Sequence, residues 1–311
     1  MTRIGNSNLD AFPLALGGNV FGWTADEQTS FAVLDAYRAG GGNLIDTADS
    51  YSHWLPGHSG GESETVIGKW LGSRGHRGDV IIATKVGRHP NYKGLRADTI
   101  KSAAEQSLRR LQTDYIDLYY THFDEPEIPV EEIITALDHL VRDGKVRYIG
   151  ASNISPERLA ESLQFSKREG LATYVALQQH YNLVERDQYE GPLAEVVATY
   201  GLSSLPYFGL AMGFLTGKYR PGTSVDGPRA AGAAQYLKTP RGQRVLAALD
   251  EVAAAHGVEL ASVALAWLAA QPTVSAPIAS ARNLEQLPAL LASAELKLGS
   301  DELARLTAAS A

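Results

Sequence analysis

NLID at residues 43–46, VIIATK at 80–85 and IDLYYTH at 116–122 share one form, a short apolar run closed by a polar or charged residue. Runs this short and rich in β-branched and aromatic residues read as buried strands. Five more follow the same reading, at 14–16, 148–151, 175–178, 202–207 and 275–278, which makes eight candidate strands. Between them lie segments of helical period at 27–39, 63–71, 97–111, 130–142, 156–167, 189–200, 262–270 and 284–291. Strand and helix in alternation predict a parallel sheet, and eight strands predict a (β/α)8 TIM barrel spanning residues 1–311 as a single domain. The rival arrangement is an open doubly wound sheet, but the first strand–helix junctions carry no GxGxxG fingerprint.

The segment ends carry signals of their own. Ser155 followed by Pro156 reads as an N-cap with proline at the first helical position, and Gly40, Gly144 and Gly170 suit C-terminal positions of positive φ. An extra helix is expected at 241–256, before strand eight. The Gly-, Ala- and Pro-containing stretch 221–239 is expected to be a long loop after strand seven.

Composition narrows the class of function. With 44% hydrophobic and 20% charged residues the chain can build a sizeable core. A net charge of -7 disfavours nucleic-acid and anionic-membrane partners, whose binding depends on clustered Lys and Arg. The absence of cysteine removes disulfides, thiolate metal sites and a cysteine nucleophile. No basic stretch followed by an apolar core opens the chain, so a cytoplasmic protein is the expectation.

In a parallel barrel, catalytic groups gather at the carboxyl ends of the strands. Asp46, Lys85 and His122 each close a strand run, and Tyr51 follows Asp46 by five residues. A buried Lys or Asp alone is costly, and pairing Lys85 with Asp46 would remove that cost. An ammonium beside Tyr51 would lower the phenol's pKa and let it transfer a proton to a carbonyl, while a neutral His122 N–H could orient the carbonyl oxygen. Taken singly, each residue also has a plain structural reading: Asp46 as a capping or loop carboxylate, Lys85 as a salt-bridge partner, Tyr51 as a packing residue and His122 as a core histidine.

The ordered segments GGNLIDTADSY, GESETVIGKWL, IIATKVG, LRRLQTDYIDLYYTH, LVRDGKVRYIGASN, LQQHYNLVER, PYFGLAMGFLTGKY and PIASARNLEQL cover nearly the whole chain. Together they resemble the aldo-keto reductase superfamily. The resemblance implies a catalytic tetrad of Asp46, Tyr51, Lys85 and His122, with Tyr51 the general acid in carbonyl reduction. It implies NADP(H) as cofactor, with NAD(H) possible. Ser152, Asn153 and Gln178 would hold the nicotinamide carboxamide, with Tyr207 stacked on its ring. Leu210, Gly213, Leu215 and Lys218, together with Ser280, Arg282 and Gln286, would hold the phosphates, where helix starts favour anions. Arg282 would match the 2′-phosphate, and Arg229 would lie over the adenine. Two departures stand out: Ala289 and Leu290 replace the family's frequent Glu and Asn, and Phe208-Gly209 replaces its Ser-Pro.

Phe21, Trp23, His53, Trp54, Phe123, Phe208 and Met212 fall on loops expected at the same mouth and are candidates for a pocket taking a small carbonyl, such as a sugar or aromatic aldehyde. His53 and His58 with Glu62 and Glu64 lack the HExxH spacing, so no metal site is expected. Two other functions compete with a reductase: an NADP(H)-binding sensor or regulatory scaffold, and a barrel hydrolase using Asp46 with Glu62 or Glu64.

Overall fold

The computed structural model describes residues 1–311. Eight parallel strands form one sheet: β1 (Ala15–Gly17), β2 (Leu44–Asp46), β3 (Ile81–Val86), β4 (Ile116–Thr121), β5 (Val146–Ser152), β6 (Tyr174–Gln178), β7 (Ser203–Ser204) and β8 (Ile278–Ala279). The strands pair in chain order from β1 to β7, and β8 returns to pair with β1. Backbone hydrogen bonds from Ser204 N to Thr273 O (2.8 Å), Ser275 N to Ser204 O (3.0 Å) and Ile278 N to Pro206 O (2.9 Å) join β7 to the segment entering β8. The sheet therefore curls back on itself, as in an α/β barrel.

Alternation along the strands separates two cores. Leu44, Ile81, Ala83, Leu118, Tyr120, Val175, Ala176, Leu205, Ala276 and Ile278 belong to a small apolar cluster inside the curl. The larger cluster, with Ile45, Ile82, Tyr119, Ile149 and Leu177, packs outward against the helices. Because side chains repeat every two residues, the inward rows of β2 and β3 run on to Asp46 and Lys85. The same count carries β4 to His122, β5 to Ser152, β6 to Gln178, and the β7 and β8 segments to Tyr207 and Ser280.

The surrounding helices are α1 (Glu27–Ala39), α2 (Glu62–Arg74), α3 (Ala97–Leu111), α4 (Val130–Arg142), α5 (Pro156–Glu169), α6 (Pro192–Thr199), α7 (Ala230–Leu237), α8 (Pro240–His256), α9 (Leu260–Ala269), α10 (Leu287–Ser293) and α11 (Ser300–Ala309). Ser155 caps α5 by accepting from Arg158 N, and Gly170 closes it at φ 65°. The extra helix before strand eight is α8, capped by Thr239 with Pro240 in its first turn. None of these helices alone is long and apolar enough to cross a membrane.

Several expectations are corrected. The stretch 221–239 is not all loop, because α7 forms within it: AAGAAQYL is alanine-rich, and Ala233 is buried against the shell. Gly40 caps α1 at φ -78°, and the left-handed turn is made by Gly41 at φ 88°. Helix α6 starts at Pro192 rather than 189, since Gly191 takes φ 92°, ψ -133° and Pro192 sets the first turn. The segment at 284 begins as a 3-10 turn, Leu284–Gln286, before α10.

Several elements have no counterpart among the expected segments, a short hairpin of Arg88–His89 with Tyr92–Lys93 among them. An N-terminal hairpin pairs Thr2–Arg3 with Asp10–Ala11, and its Ile4, Leu9 and Ala11 join the interior cluster. Helix α11 is tied down by Trp267, whose indole N–H donates to Thr307 Oγ1 at 3.0 Å, and by Arg186, which donates to Ser310 Oγ at 2.7 Å.

Candidate active site

Neighbouring strands bring the first charged residues together. In the β2–β3–β4 register Asp46 lies opposite Ala83, and Lys85 opposite Tyr120. The Lys85 Nζ donates to Asp46 Oδ2 at 2.7 Å, to the Thr47 carbonyl at 2.7 Å and to Tyr51 Oη at 2.9 Å. The three donors of the ammonium thus have three oxygen acceptors, which explains how a lysine with 0% exposure is tolerated. Asp46 uses its other oxygen, Oδ1, to accept from Gln178 Nε2 at 2.8 Å.

Burial sets the protonation states. It pushes the Tyr51 phenol up from its ordinary value; the Lys85 ammonium pulls the other way without winning. This corrects the expectation of a lowered phenol pKa: the free protein holds Tyr51 firmly protonated. Burial also pulls the Lys85 ammonium down, but Asp46 and Tyr51 outweigh it and leave its pKa raised. His122 is driven well below its ordinary 6.5, first by burial and then by the charges of Lys85, Arg88 and His53. Its imidazole is neutral, and Nδ1 has no partner within the chain.

Asp46, Tyr51 and His122 open into a cavity of about 810 Å³ that runs over the carboxyl ends of the strands, with Lys85 buried beneath. Ser152, Asn153, Gln178, Tyr207, Leu210, Gly213, Lys218, Arg229, Ser280, Arg282 and Gln286 all line it. Leu215 does not; it is fully buried in the outer core, on the inner side of the turn that carries Gly213. Of the aromatic candidates, Trp23, Trp54, Phe123 and Phe208 line the cavity, as does Met212. Phe21 is turned inward by the short 3-10 helix Gly18–Val20 and is fully buried in the core. His53 stands behind Trp54, ring centroids 5.5 Å apart, with Nδ1 2.7 Å from the Ser50 carbonyl.

A second polar chain borders the tetrad. Tyr207 donates to Asn153 Oδ1 at 2.8 Å, and Asn153 Nδ2 donates to the His122 carbonyl at 3.0 Å and to Ser152 Oγ at 2.9 Å. Asn153 holds φ 50°, a left-handed conformation that asparagine tolerates. His180 stacks on Tyr207 with centroids 5.3 Å apart and planes 16° apart, a backing that no motif in the sequence announced. Asn19 was also missed: it accepts from Ser280 Oγ at 2.6 Å and lines the cavity.

The loop after β7 is held in an unusual form. Phe208, Ala211, Met212 and Gly213 all have positive φ. Asn182 Nδ2 anchors the loop through the Phe208 carbonyl at 2.9 Å. Gly209 sits at a close approach: a Cβ there would stand 3.0 Å from Leu265 Cδ2 and 3.2 Å from the Ile278 carbonyl, so both neighbours would have to give slightly. At the far end of the cavity, the Lys218 ammonium and the Arg282 guanidinium have no acidic or hydrogen-bonding partner in the chain. Burial, and then the charge of Arg282, lowers the Lys218 pKa. Two backbone N–H groups there, of Arg282 and Gln286, already donate to the side chains of Gln286 and Asn283, so attraction for an anion rests mainly on the two cationic side chains.

The hydrolase arrangement is not built. Glu64 accepts from Thr84 Oγ1 at 2.6 Å and from Arg110 Nε at 2.7 Å, in a layer between sheet and helices. Glu62 accepts from the backbone of Ser59 at 2.8 Å, and neither glutamate lines the cavity.

A curled α/β barrel with a buried Asp–Lys–Tyr cluster and a neutral histidine at its carboxyl end defines a structural class. The sequence comparisons narrow that class: the model of the "Aldo/keto reductase family" matches residues 13–311, and the chain belongs to that family. "Protein tas" of Escherichia coli (strain K12) is 34% identical over 333 residues, covering 98% of this chain and 96% of its own. "Norsolorinic acid reductase stcV" of Emericella nidulans is 31% identical, covering 94% and 76%. "Probable voltage-gated potassium channel subunit beta" of Oryza sativa subsp. japonica is 32% identical, covering 92% and 88%. Family membership and the reductase among these relatives support an oxidoreductase.

Proposed function

We propose that this chain, acting as a single domain, reduces the carbonyl group of a small molecule to an alcohol with NADP(H), Tyr51 supplying the proton. The observation that carries the reading is the Tyr51 hydroxyl held 2.9 Å from a Lys85 ammonium that is itself 2.7 Å from Asp46, with the phenol opening on the large cavity. When bound, the cofactor supplies the hydride.

The chain's residues fit that group. Lys218 and Arg282, unpaired at one end of the cavity, suit the phosphates, and a guanidinium suits a dianionic 2′-phosphate in particular, which favours NADPH over NADH. Ser152, Asn153 and Tyr207 would hold the nicotinamide, with His180 bracing the tyrosine ring from behind. Gln178 is already engaged with Asp46, so its free role toward a carboxamide is through Oε1.

The protonated Tyr51 and the neutral His122 divide the work at the carbonyl oxygen. His122 directs an N–H at it and Tyr51 donates the proton as negative charge develops. Lys85, kept charged by Asp46, stabilises the phenolate left behind. NADPH and NADH oxidation over a panel of aldehydes, ketones and keto-sugars tests the reading. Tyr51→Phe should reduce turnover by about 10²–10⁴-fold with cofactor affinity little changed. Wild-type-like rates in that variant would remove Tyr51 from the mechanism. The similarity to a protein named as a channel subunit favours one second reading, a cofactor-binding regulatory scaffold, which predicts NADPH binding without turnover of any panel member.

A further inference from the structure

His180 lies just after β6 against one face of Tyr207, ring centroids 5.3 Å and planes 16° apart, and the two backbones form a parallel bridge. Tyr207 lines the cavity, whereas His180 does not. The tyrosine ring is therefore a single aromatic layer between the imidazole and the cavity. That layer is fixed on several sides. The Tyr207 hydroxyl donates to Asn153 Oδ1 at 2.8 Å, its backbone N–H donates to the Gln179 carbonyl at 3.0 Å, and the Phe208 ring meets it edge-on at 5.3 Å.

The surroundings of His180 favour a neutral ring. Asn182 Oδ1 accepts from the backbone of Val184 and Glu185, so it is Nδ2 that faces His180, 3.4 Å from Nε2. An imidazole that accepts there carries no charge. Burial holds His180 below its ordinary 6.5, and Glu185 offsets part of that; the Glu185 carboxylate in turn accepts from the Tyr236 hydroxyl of α7 at 2.9 Å. The loop after β7 presents only the rings of Tyr207 and Phe208 to the imidazole, and the charge of Arg88 reaches Tyr207. A proton taken up by His180 in mild acid thus adds a positive charge one ring away from the cavity. An oxidised nicotinamide ring is cationic and a reduced one is neutral, so such a charge acts on the two unequally.

We propose that His180, through the Tyr207 ring that it backs, makes the site discriminate between the two cofactor states: once protonated, it disfavours the cationic oxidised nicotinamide relative to the neutral reduced one. This rests on the NADP(H) reading above. It adds a specificity-determining residue and a bias toward holding the reduced cofactor that grows as pH falls.

The test uses the full chain and follows tryptophan fluorescence, since Trp23 and Trp54 line the site, while NADP⁺ and NADPH are titrated between about pH 8 and about pH 5. The 2′-phosphate is common to both nucleotides, so its own titration cancels in the ratio of their Kd values. That ratio, NADP⁺ over NADPH, should rise about threefold or more on going to the acid end. His180→Phe keeps a stacked ring and removes the proton, and its ratio should stay flat with pH. By linkage the wild type must show the reciprocal effect: the His180 pKa, followed by NMR, should be lower with NADP⁺ bound than with NADPH bound. A flat ratio in the wild type overturns the inference, as does a slope that persists in His180→Phe or a His180 pKa that is equal in the two complexes. A flat ratio alongside turnover of aldehydes leaves the reductase standing and removes the role of His180. A sloping ratio with no turnover of any aldehyde does the reverse, and binding of neither nucleotide removes both.

Discussion

The two ends of the barrel interior are built by the same alternation and end in opposite chemistry. At the amino end Ile4, Leu9 and Ala11 of the N-terminal hairpin fill the opening, all buried and all apolar. At the carboxyl end the same inward rows finish in Asp46, Lys85, Ser152 and Gln178, equally buried and all polar. Burial at the first end is favourable transfer of apolar surface from water. At the second it is a cost met by pairing, and the same burial is what moves the protonation states of Tyr51 and His122. One end thus holds the barrel together and the other holds charges in a defined state.

The sharpest way to break that contrast is Lys85→Met. It leaves the Asp46 carboxylate without a counter-charge, held only by Gln178 at 2.8 Å and by the Tyr51 hydroxyl at 3.5 Å, so turnover should collapse. Urea denaturation should show a loss of about 3–5 kcal/mol, the usual consequence of breaking a buried pair from one side. A variant with full stability would mean that the ion pair is not what makes this end tolerable. At the opposite end Ile4→Ala should cost about 2–5 kcal/mol while kcat per folded molecule stays at the wild-type value. A fall in kcat matching the fall in stability would show that the two ends are coupled.

Acid sharpens the comparison next. The folded pKa of His122 lies well below 6.5, so unfolding takes up a proton there. Its contribution is fully present above about pH 6.5 and is lost as pH falls below that, at up to about 1.4 kcal/mol per pH unit until the folded pKa is reached. His122→Gln should lose less stability than the wild type between about pH 7 and pH 5 in parallel urea titrations. Parallel losses would assign the acid sensitivity elsewhere. In the alkaline direction the raised Tyr51 pKa predicts that the reduction rate of the proposed enzyme holds steady to beyond pH 10, and a limb near neutrality would contradict it. The smallest effect belongs to the periphery: Ser155→Ala removes the α5 N-cap bond and should lower stability by about 1 kcal/mol with catalysis untouched.

Much of the site was legible because strand ends announce themselves. A charged residue closing a buried run is costly unless it has a partner, so the pattern of the chain alone makes Asp46 and Lys85 point to each other. Phe21 was not placed correctly, because a loop's position along the chain does not say which way a short turn aims a side chain. His180 and Asn19 escaped for a related reason: each acts by touching a residue far away in sequence, Tyr207 across a loop and Ser280 on the last strand segment. The helix at 230–237 was obscured by the turn-forming residues that precede it, although its own alanine content favours a helix.

The sequence by itself determined the eightfold strand–helix alternation, the polar residues that end the inward rows, and the family. Those depend on local patterning and period, which a linear string carries in full. The direction of the Tyr51 pKa and the turning of Phe21 into the core were decided only by the tertiary structure. Desolvation, and the presence or absence of a counter-charge, depend on which distant residues pack around a group, and only the folded chain specifies that.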